Sequence, residues 1–217
     1  TGKLRLGERP AQLRFKQAAS AVGQCELMHI YDKLFGEYGA TVGQILFTKE
    51  DVDRPTVRQN LLGTFEALLE LGVIPVVNEN DSVGIEEIES EQKVFGDNDT
   101  LSAVVATLVA ADLLVILTDF DGLYDSDPRV NPDACRIPIV TEIDERIVSL
   151  AGGIGSKFGT GGMATKVSAA RIALAYGIDV ITTSGSTPGN LYAAVHGLDV
   201  GTLFTRSPRN SQPARIT

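Results

Sequence analysis

The sequence predicts an α/β fold in which a mainly parallel sheet is sandwiched between helices. Short segments such as residues 73–77 and 113–117 are apolar throughout, which is typical of strands that are buried on both faces. They alternate with longer segments whose apolar positions recur at helical spacing, which is the pattern of βαβ units. The class of the fold follows from this alternation, whereas the order of the strands in the sheet does not.

Each helix is predicted from its periodicity and from the residue that ends it. Gly36, Gly72 and Gly177 follow three of the periodic segments, and helices commonly end at a glycine. The remaining helix is rich in Ala, Val and Leu on all sides, so we expect it to be buried. The predicted helices span residues 13–35, 56–71, 100–111 and 163–176, and the predicted strands span residues 42–47, 73–77, 113–117 and 180–181.

Composition limits the classes of function that are open to the chain. Its 217 residues are 43% hydrophobic, which is enough for a folded core, and no apolar run approaches the ~20 residues of a membrane span. The net charge of −9 argues against a nucleic-acid partner and against binding to an anionic membrane surface. Cys25 and Cys135 lack metal-binding spacing, so we expect two buried thiols in a cytoplasmic protein.

Polar clusters follow two of the predicted strands. Residues 78–81, which read Asn-Glu-Asn-Asp, follow one strand, and Thr118 and Asp119 follow another. Because ligands bind at the carboxyl ends of parallel strands, we expect both clusters to lie at one edge of the sheet and to form a site. These residue types also form ordinary turns, and that alternative stays open.

A third cluster, Asp97-Asn98-Asp99, precedes the helix that is predicted from residue 100. Asp99 has the residue type of a helix N-cap, and a capping role and a functional role are both open for it. Residues 86–93 carry four glutamates and no periodic apolar face, which fits either a solvated loop or a mobile loop over a site.

The strongest signal is a glycine-rich segment that runs into a helix. Six glycines fall among the eleven residues from Gly152 to Gly162, and glycine lets backbone N–H groups approach an anion closely. Lys166 follows near the first helical turn, where its side chain leans back toward the N-terminus. The spacing differs from that of a Walker A loop and of a dinucleotide-binding fingerprint. The segment indicates a nucleotide or phosphoryl-transfer site, although a flexible linker with a surface lysine stays open.

Taken in order, these clusters resemble the glutamate 5-kinases, a family of the amino-acid kinase superfamily. The most specific string is Thr-Gly-Gly-Met-Ala-Thr-Lys at residues 160–166, beside Phe-Gly-Asp-Asn-Asp at residues 95–99. The resemblance covers residues 6–204 and implies the three-layer α/β/α fold of amino-acid kinases. It also implies transfer of the γ-phosphoryl group of ATP to the side-chain carboxylate of L-glutamate, the first step of proline biosynthesis.

The resemblance implies roles for individual residues. Lys166 would stabilise the transferring phosphoryl group, and Asp99 would orient catalytic lysines. Glutamate would be bound by Asn78, Asp81 and Asn98. ATP would be bound by Thr118, Asp119, Thr160, Gly161, Gly162, Met163, Ala164, Thr165 and Lys166. Mg²⁺ would accompany ATP with no residue assigned as its ligand, proline would be a feedback inhibitor, and the protein would form dimers or tetramers.

Glutamate 5-kinases also carry features that this sequence does not show. One is an N-terminal strand with a lysine and a glycine-serine phosphate loop, and another is a second strand with a serine-serine-glycine turn. We therefore expect a fragment, in which residues 1–206 form the kinase domain without these strands and residues 207–217 form a linker or tail. Many bacterial members continue into a small RNA-binding-type domain. Two alternatives stay open: a non-catalytic regulatory fragment that binds glutamate or proline, and a superfamily kinase with another small acidic substrate.

Overall fold

A computed structural model describes residues 10–83, 97–152 and 162–206 of the chain. The chain divides into two compact units, Thr1–Phe95 and Gly96–Thr217. The predicted loop at residues 86–93 and the predicted tail at residues 207–217 lie outside the described residues, as do Thr160 and Gly161. The assignment of residues 1–206 to one kinase domain stays a prediction.

The described residues of the first unit form a two-stranded parallel sheet with a helix against each strand. Strand β1 (Thr41–Phe47) pairs with β2 (Val73–Glu79) along their whole lengths. Helix α1 (Leu13–Gly36) packs against β1. The short helix α2 (Lys49–Asp53) and the longer α3 (Pro55–Glu70) connect the strands, and α3 packs against β2. Two parallel strands need such a crossover connection, because a tight turn cannot join them.

Local sequence explains how this crossover is built. Pro55 occupies the start of α3, where the missing N–H group costs no helical hydrogen bond. Gly72 takes a φ of +69°, a conformation that glycine adopts at little cost, and so turns the chain from α3 into β2. Phe65 of α3 is buried together with Ile45 and Phe47 of β1. Burial of these apolar side chains stabilises the first unit.

The second unit contains a four-stranded sheet in the order β3-β5-β6-β4. Strand β3 (Leu113–Thr118) pairs in parallel with β5 (Asp179–Ser184). Strand β6 (Thr202–Phe204) runs antiparallel to β5 and parallel to β4 (Ile139–Val140). The helices in the described part of this unit are α4 (Asn98–Leu108), α5 (Glu145–Leu150), α6 (Met163–Ala175) and α7 (Gly189–Val195).

The core of the second unit lies where α4 and α6 pack on each other and on the β3–β5 pair. Small side chains let the two helices approach closely, and Ile116 and Val180 of the strands complete the packing. The alanines of this contact are Ala103, Ala106, Ala169, Ala170 and Ala173. None of the helices in the described part of the chain is both long enough and apolar enough to cross a membrane.

The predicted α/β class is confirmed, because mainly parallel strands are flanked by helices. We expected the polar clusters after β2 and β3 to lie at one edge of a single sheet. For the described strands this is wrong, because β2 pairs with β1, whereas β3 pairs with β5 in a different sheet. Hydrophobic periodicity identifies a strand, but its pairing partner is decided by contacts that are distant in sequence. The sheet of the second unit also contains the antiparallel strand β6, which the alternation of elements did not predict.

The expectation of buried cysteines is also wrong, because both Cys25 and Cys135 are exposed. Cys25 lies on α1, which buries none of its residues. Cys135 lies in the connection between β3 and β4, where its N–H donates to Asp125. Free cysteines are among the most buried residues in proteins, but these two lie on an exposed helix and in an exposed part of a connection.

Candidate active site

The polar cluster at the end of β2 is held by side chains of α1. Asn78 donates from Nδ2 to Oε1 of Gln24 at 3.1 Å. Asp81 lies in the exposed turn that follows the strand, and its Oδ2 accepts a hydrogen bond from the hydroxyl of Ser20 at 2.8 Å. The first unit therefore presents an amide and a carboxylate at the carboxyl end of one strand, and each is bonded to the same helix.

Glu79 adds a second carboxylate at this end of β2. Burial raises the pKa of Glu79, and the negative charge of Asp81 raises this pKa further. The second cause shows that two carboxylates lie close together here, so an incoming cation is favoured and an incoming anion is disfavoured. The end of β2 therefore suits the ammonium group of an amino acid.

Lys166 and Asp99 form a largely buried ion pair between α6 and α4. Nζ of Lys166 lies 3.0 Å from Oδ2 of Asp99, and the two side chains are 8% and 15% exposed. The hydroxyl of Thr165 lies 2.6 Å from the same carboxylate oxygen. An unpaired buried charge is costly, so the carboxylate both stabilises the ammonium group and fixes its direction.

The N-cap of α4 is Asp97 and not Asp99. Oδ1 of Asp97 accepts from the N–H of Thr100 at 2.7 Å. The capping interpretation that was open for Asp99 is therefore wrong, and the Asp99 carboxylate reaches across to α6 instead. Asn98, the exposed first residue of α4, lies between these two aspartates.

The N-terminus of α6 has the chemistry of an anion site. Its N-cap is Gly162, no side chain among the described residues caps it, and its first turn carries no acidic residue. By contrast, Asp97 caps α4 and Asp144 caps α5. The first N–H groups of α6 thus keep the partial positive charge of a helix N-terminus. The residues that begin this helix are Met163, Ala164, Thr165 and Lys166.

Thr118 and Asp119 lie at the carboxyl end of β3, beside the end of β5. Thr118 is opposite Ser184 in the parallel register, and its carbonyl accepts from the N–H of Gly185 at 2.8 Å. The hydroxyls of Ser184 and Ser186 are 2.7 Å apart at the same edge. Both strands therefore end in polar residues at one edge of the sheet.

Sequence reasoning missed the residues at the end of β5. Residues 182–187 read Thr-Thr-Ser-Gly-Ser-Thr and directly follow the predicted strand 180–181. The rule that selected Thr118, a polar cluster at the carboxyl end of a parallel strand, applies equally to Ser184 and Ser186. The signal was present, but the strand was predicted too short for its end to be recognised.

The structure divides the predicted site residues between the two units. Asn78 and Asp81 lie in the first unit, where they meet α1. The others that the structure describes lie in the second unit, and among them Asp99, Thr165 and Lys166 are in direct contact. In the described ranges, no three His, Cys, Asp or Glu side chains are grouped to hold a metal ion.

Comparison with curated proteins finds relatives at high identity. The chain is 52% identical over 203 residues to "Glutamate 5-kinase" of Clostridium perfringens (strain 13 / Type A), covering 94% of this chain and 75% of the relative. It is 53% identical over 209 residues to the protein of the same name from Clostridium acetobutylicum, covering 96% of this chain and 76% of the relative. The resemblance seen in the sequence motifs is therefore confirmed.

Solved structures and a family model agree with this fold. An isopentenyl phosphate kinase matches 94% of this chain and 78% of its own at a TM-score of 0.58 and 18% identity. UMP kinase from Ureaplasma parvum matches 94% of this chain and 74% of its own at a TM-score of 0.56 and 12% identity. At such identities the likeness concerns the fold alone. The model of the amino acid kinase family matches residues 3–184, so the chain belongs to the amino acid kinase family.

Proposed function

We propose that this protein transfers the γ-phosphoryl group of ATP to the side-chain carboxylate of L-glutamate. The product is γ-glutamyl phosphate, and the reaction is the first step of proline biosynthesis. The observation that carries the proposal is the 52% identity over 203 residues to a glutamate 5-kinase. The buried Lys166–Asp99 pair supports it, because phosphoryl transfer needs a fixed positive charge beside the phosphates.

The nucleotide side of the proposed site is the N-terminus of α6. The first N–H groups of α6 lie at this end, and Lys166 is the fourth residue of the helix, where side chains lean back toward the N-terminus; both suit the β- and γ-phosphates of ATP. Thr118 and Asp119, at the end of β3, are proposed to contact the nucleotide as well. The proposed phosphate-binding residues are Thr160, Gly161, Gly162, Met163, Ala164, Thr165 and Lys166.

The transfer itself needs little covalent chemistry from the protein. One oxygen of the glutamate side chain bonds to the γ-phosphorus, the bond from that phosphorus to the β–γ bridging oxygen breaks, and ADP leaves with the electron pair. The attacking carboxylate is already ionised at neutral pH, so no general base is required. Lys166 stabilises the charge on the transferring group, and Asp99 is the positioning residue that holds Lys166 in place.

Glutamate binding is assigned to Asn78 and Asp81 in the first unit, and to Asn98 in the second unit. The crowded negative charge of Asp81 and Glu79 favours the α-ammonium group of the substrate. The amides of Asn78 and Asn98 can donate to its carboxylates. Proline carries the same kind of ammonium and carboxylate pair, so we propose that it competes with glutamate here as a feedback inhibitor.

Mg²⁺ fits this site as an ion that ATP carries with it. Its preferred ligands are phosphate and water oxygens, usually with one or two carboxylates. In the described part of the chain no three candidate ligands are grouped, and the Asp99 carboxylate already bonds Lys166 and Thr165. When bound, Mg²⁺ supplies charge neutralisation at the phosphates. The proposal further includes a cytoplasmic location. It also includes a homo-oligomer, either a dimer or a tetramer, and light scattering of the purified protein would measure its mass.

The test is ADP release from Mg·ATP with one candidate phosphoryl acceptor supplied at a time. We expect turnover with glutamate, and none above background with aspartate, which is one methylene shorter. Preferential phosphorylation of aspartate, carbamate or a nucleoside monophosphate would show that the substrate is not glutamate. Glutamate or proline binding without any ADP release would favour the non-catalytic regulatory alternative.

A further inference from the structure

Ser20 links helix α1 to the carboxylate at the end of β2. Its hydroxyl donates to Oδ2 of Asp81 at 2.8 Å, across 61 positions of sequence. Gln24 lies one helical turn further along the same face of α1 and accepts from Asn78 at 3.1 Å. Helix α1 therefore contacts both of the first-unit residues that the proposed function assigns to glutamate.

The geometry gives this hydroxyl a specific task. Asp81 is exposed and lies in a turn, so packing does not select among the rotamers of its side chain. A hydrogen bond to one carboxylate oxygen selects one rotamer and thereby directs the other oxygen, Oδ1. Ser20 is half-buried in the body of a long helix, so it is a donor in a defined position.

We propose that Ser20 is a positioning residue for the amino-acid substrate: it holds Asp81 so that Oδ1 receives the ammonium group of glutamate. The proposal rests on the function proposed above, in which Asp81 binds glutamate. Ser20 acts through Asp81 and does not touch the reacting atoms. Without the Ser20 hydroxyl, the binding of glutamate must itself fix the rotamer of Asp81. This weakens glutamate binding and leaves the chemical step unchanged.

Steady-state kinetics of the full-length protein with Mg·ATP test this role. We expect Ser20→Ala to raise the KM for glutamate about two- to tenfold, the value of one hydrogen bond, with kcat and the KM for ATP unchanged. Ser20→Thr keeps the hydroxyl and is expected to restore the KM. Cys25→Ala is the matched control, because it also removes one heavy atom from α1 and its side chain is exposed. It is expected to have no effect.

A double-mutant cycle shows whether Ser20 acts through Asp81. We expect Ser20→Ala to add nothing to the glutamate KM once Asp81→Ala is present. If the two substitutions multiply their effects on KM, Ser20 acts independently of Asp81 and the proposal is overturned.

Calorimetric titration with glutamate separates this proposal from the proposed function. If the wild type binds glutamate without turnover and Ser20→Ala alone weakens that binding, the kinase function fails and the role of Ser20 stands. If the wild type turns over and Ser20→Ala leaves the glutamate KM unchanged, the role of Ser20 fails and the kinase function stands. A wild type that neither binds nor phosphorylates glutamate overturns both.

Discussion

The Lys166–Asp99 pair and the Asp81 turn are both charged, but they are held in place by different means. Lys166 is buried at the edge of a core in which α4, α6 and the strands β3 and β5 pack together. Asp81 is exposed, and it is bonded to Ser20 on α1, a helix that buries none of its residues. One charge is therefore fixed by the fold itself, and the other by a hydrogen bond at the surface.

This difference matches the two tasks that the proposed reaction requires. The charge that develops on a transferring phosphoryl group is stabilised best by a preorganised partner that does not have to move. A substrate must enter and leave, so its binding residues belong on segments with fewer buried contacts. We therefore expect changes around Lys166 to lower kcat and stability, and changes around Asp81 to raise the KM for glutamate.

The largest effect is expected for Lys166→Ala. Removing a preorganised charge from the phosphoryl group should lower kcat by about 10²- to 10³-fold, with a much smaller change in the KM for glutamate. Steady-state kinetics with glutamate varied at saturating Mg·ATP would measure both. An effect confined to KM would contradict the catalytic role.

This variant needs two controls, because it leaves the Asp99 carboxylate buried without its partner. The double variant Lys166→Met with Asp99→Asn removes both charges, so it should fold better than Lys166→Ala and remain inactive. Arg171→Ala removes a positive charge from the exposed face of the same helix and should keep normal kcat. Activity in the double variant would show that the pair is structural only.

Thr202→Val tests how firmly buried bonds hold the second unit. The fully buried Thr202 hydroxyl donates to the carbonyl of Ile137 at 2.7 Å and accepts from the N–H of Leu123 at 2.8 Å. Valine has the same shape but leaves both backbone groups without this partner, which should cost about 2–4 kcal/mol of unfolding free energy. Urea unfolding would measure the loss, with the exposed Thr187→Val as control. Equal stability of both variants would contradict this account of the unit.

Asp81→Ala tests whether the exposed carboxylate at the end of β2 binds glutamate. Losing a charge-assisted contact with the ammonium group should raise the KM for glutamate about tenfold to a hundredfold, with kcat changed little. The exposed position predicts no measurable change in stability. Glutamate kinetics together with thermal unfolding would check both statements. Unchanged glutamate affinity would remove Asp81 from the pocket.

The smallest effect is expected for Glu79→Gln, and it depends on pH. Burial, and then the charge of Asp81, raise the pKa of Glu79 in the folded protein above its ordinary value of 4.5. The folded state therefore loses stability as pH rises from 4.5 through the raised pKa, and the loss is complete above it. The glutamine variant should be slightly more stable than the wild type at pH 7, with the gain vanishing below pH 4.5. Urea unfolding across this range would measure it, and a gain that is constant with pH would contradict the cause assigned here.

The elements themselves could be predicted from sequence because their signals are local. The first helix was predicted at residues 13–35 and spans Leu13–Gly36. The buried helix was predicted at residues 100–111 and spans Asn98–Leu108, because Asp97 caps it and Ala110 takes a φ of +49° just past its end. Strand β2 is two residues longer than predicted, since Asn78 and Glu79 continue the pairing with β1.

The contacts of the site could not be predicted in the same way. Ser20 and Asp81 are 61 positions apart, and neither has a local pattern that names the other. Asp99 and Lys166 are 67 positions apart, and their meeting depends on the packing of α4 on α6. A family resemblance points to such residues. It does not show that Lys166 is buried and Asp81 exposed, because burial is a property of the folded chain.

The central claim is that the side-chain carboxylate of glutamate receives the phosphoryl group beside Lys166. Hydroxylamine tests it directly, because it converts an acyl phosphate into a stable hydroxamate. With Mg·ATP and glutamate, the wild type should yield γ-glutamyl hydroxamate in step with ADP, and Lys166→Ala should yield about 10²-fold less. ADP release without hydroxamate, or equal hydroxamate from both proteins, would contradict the account.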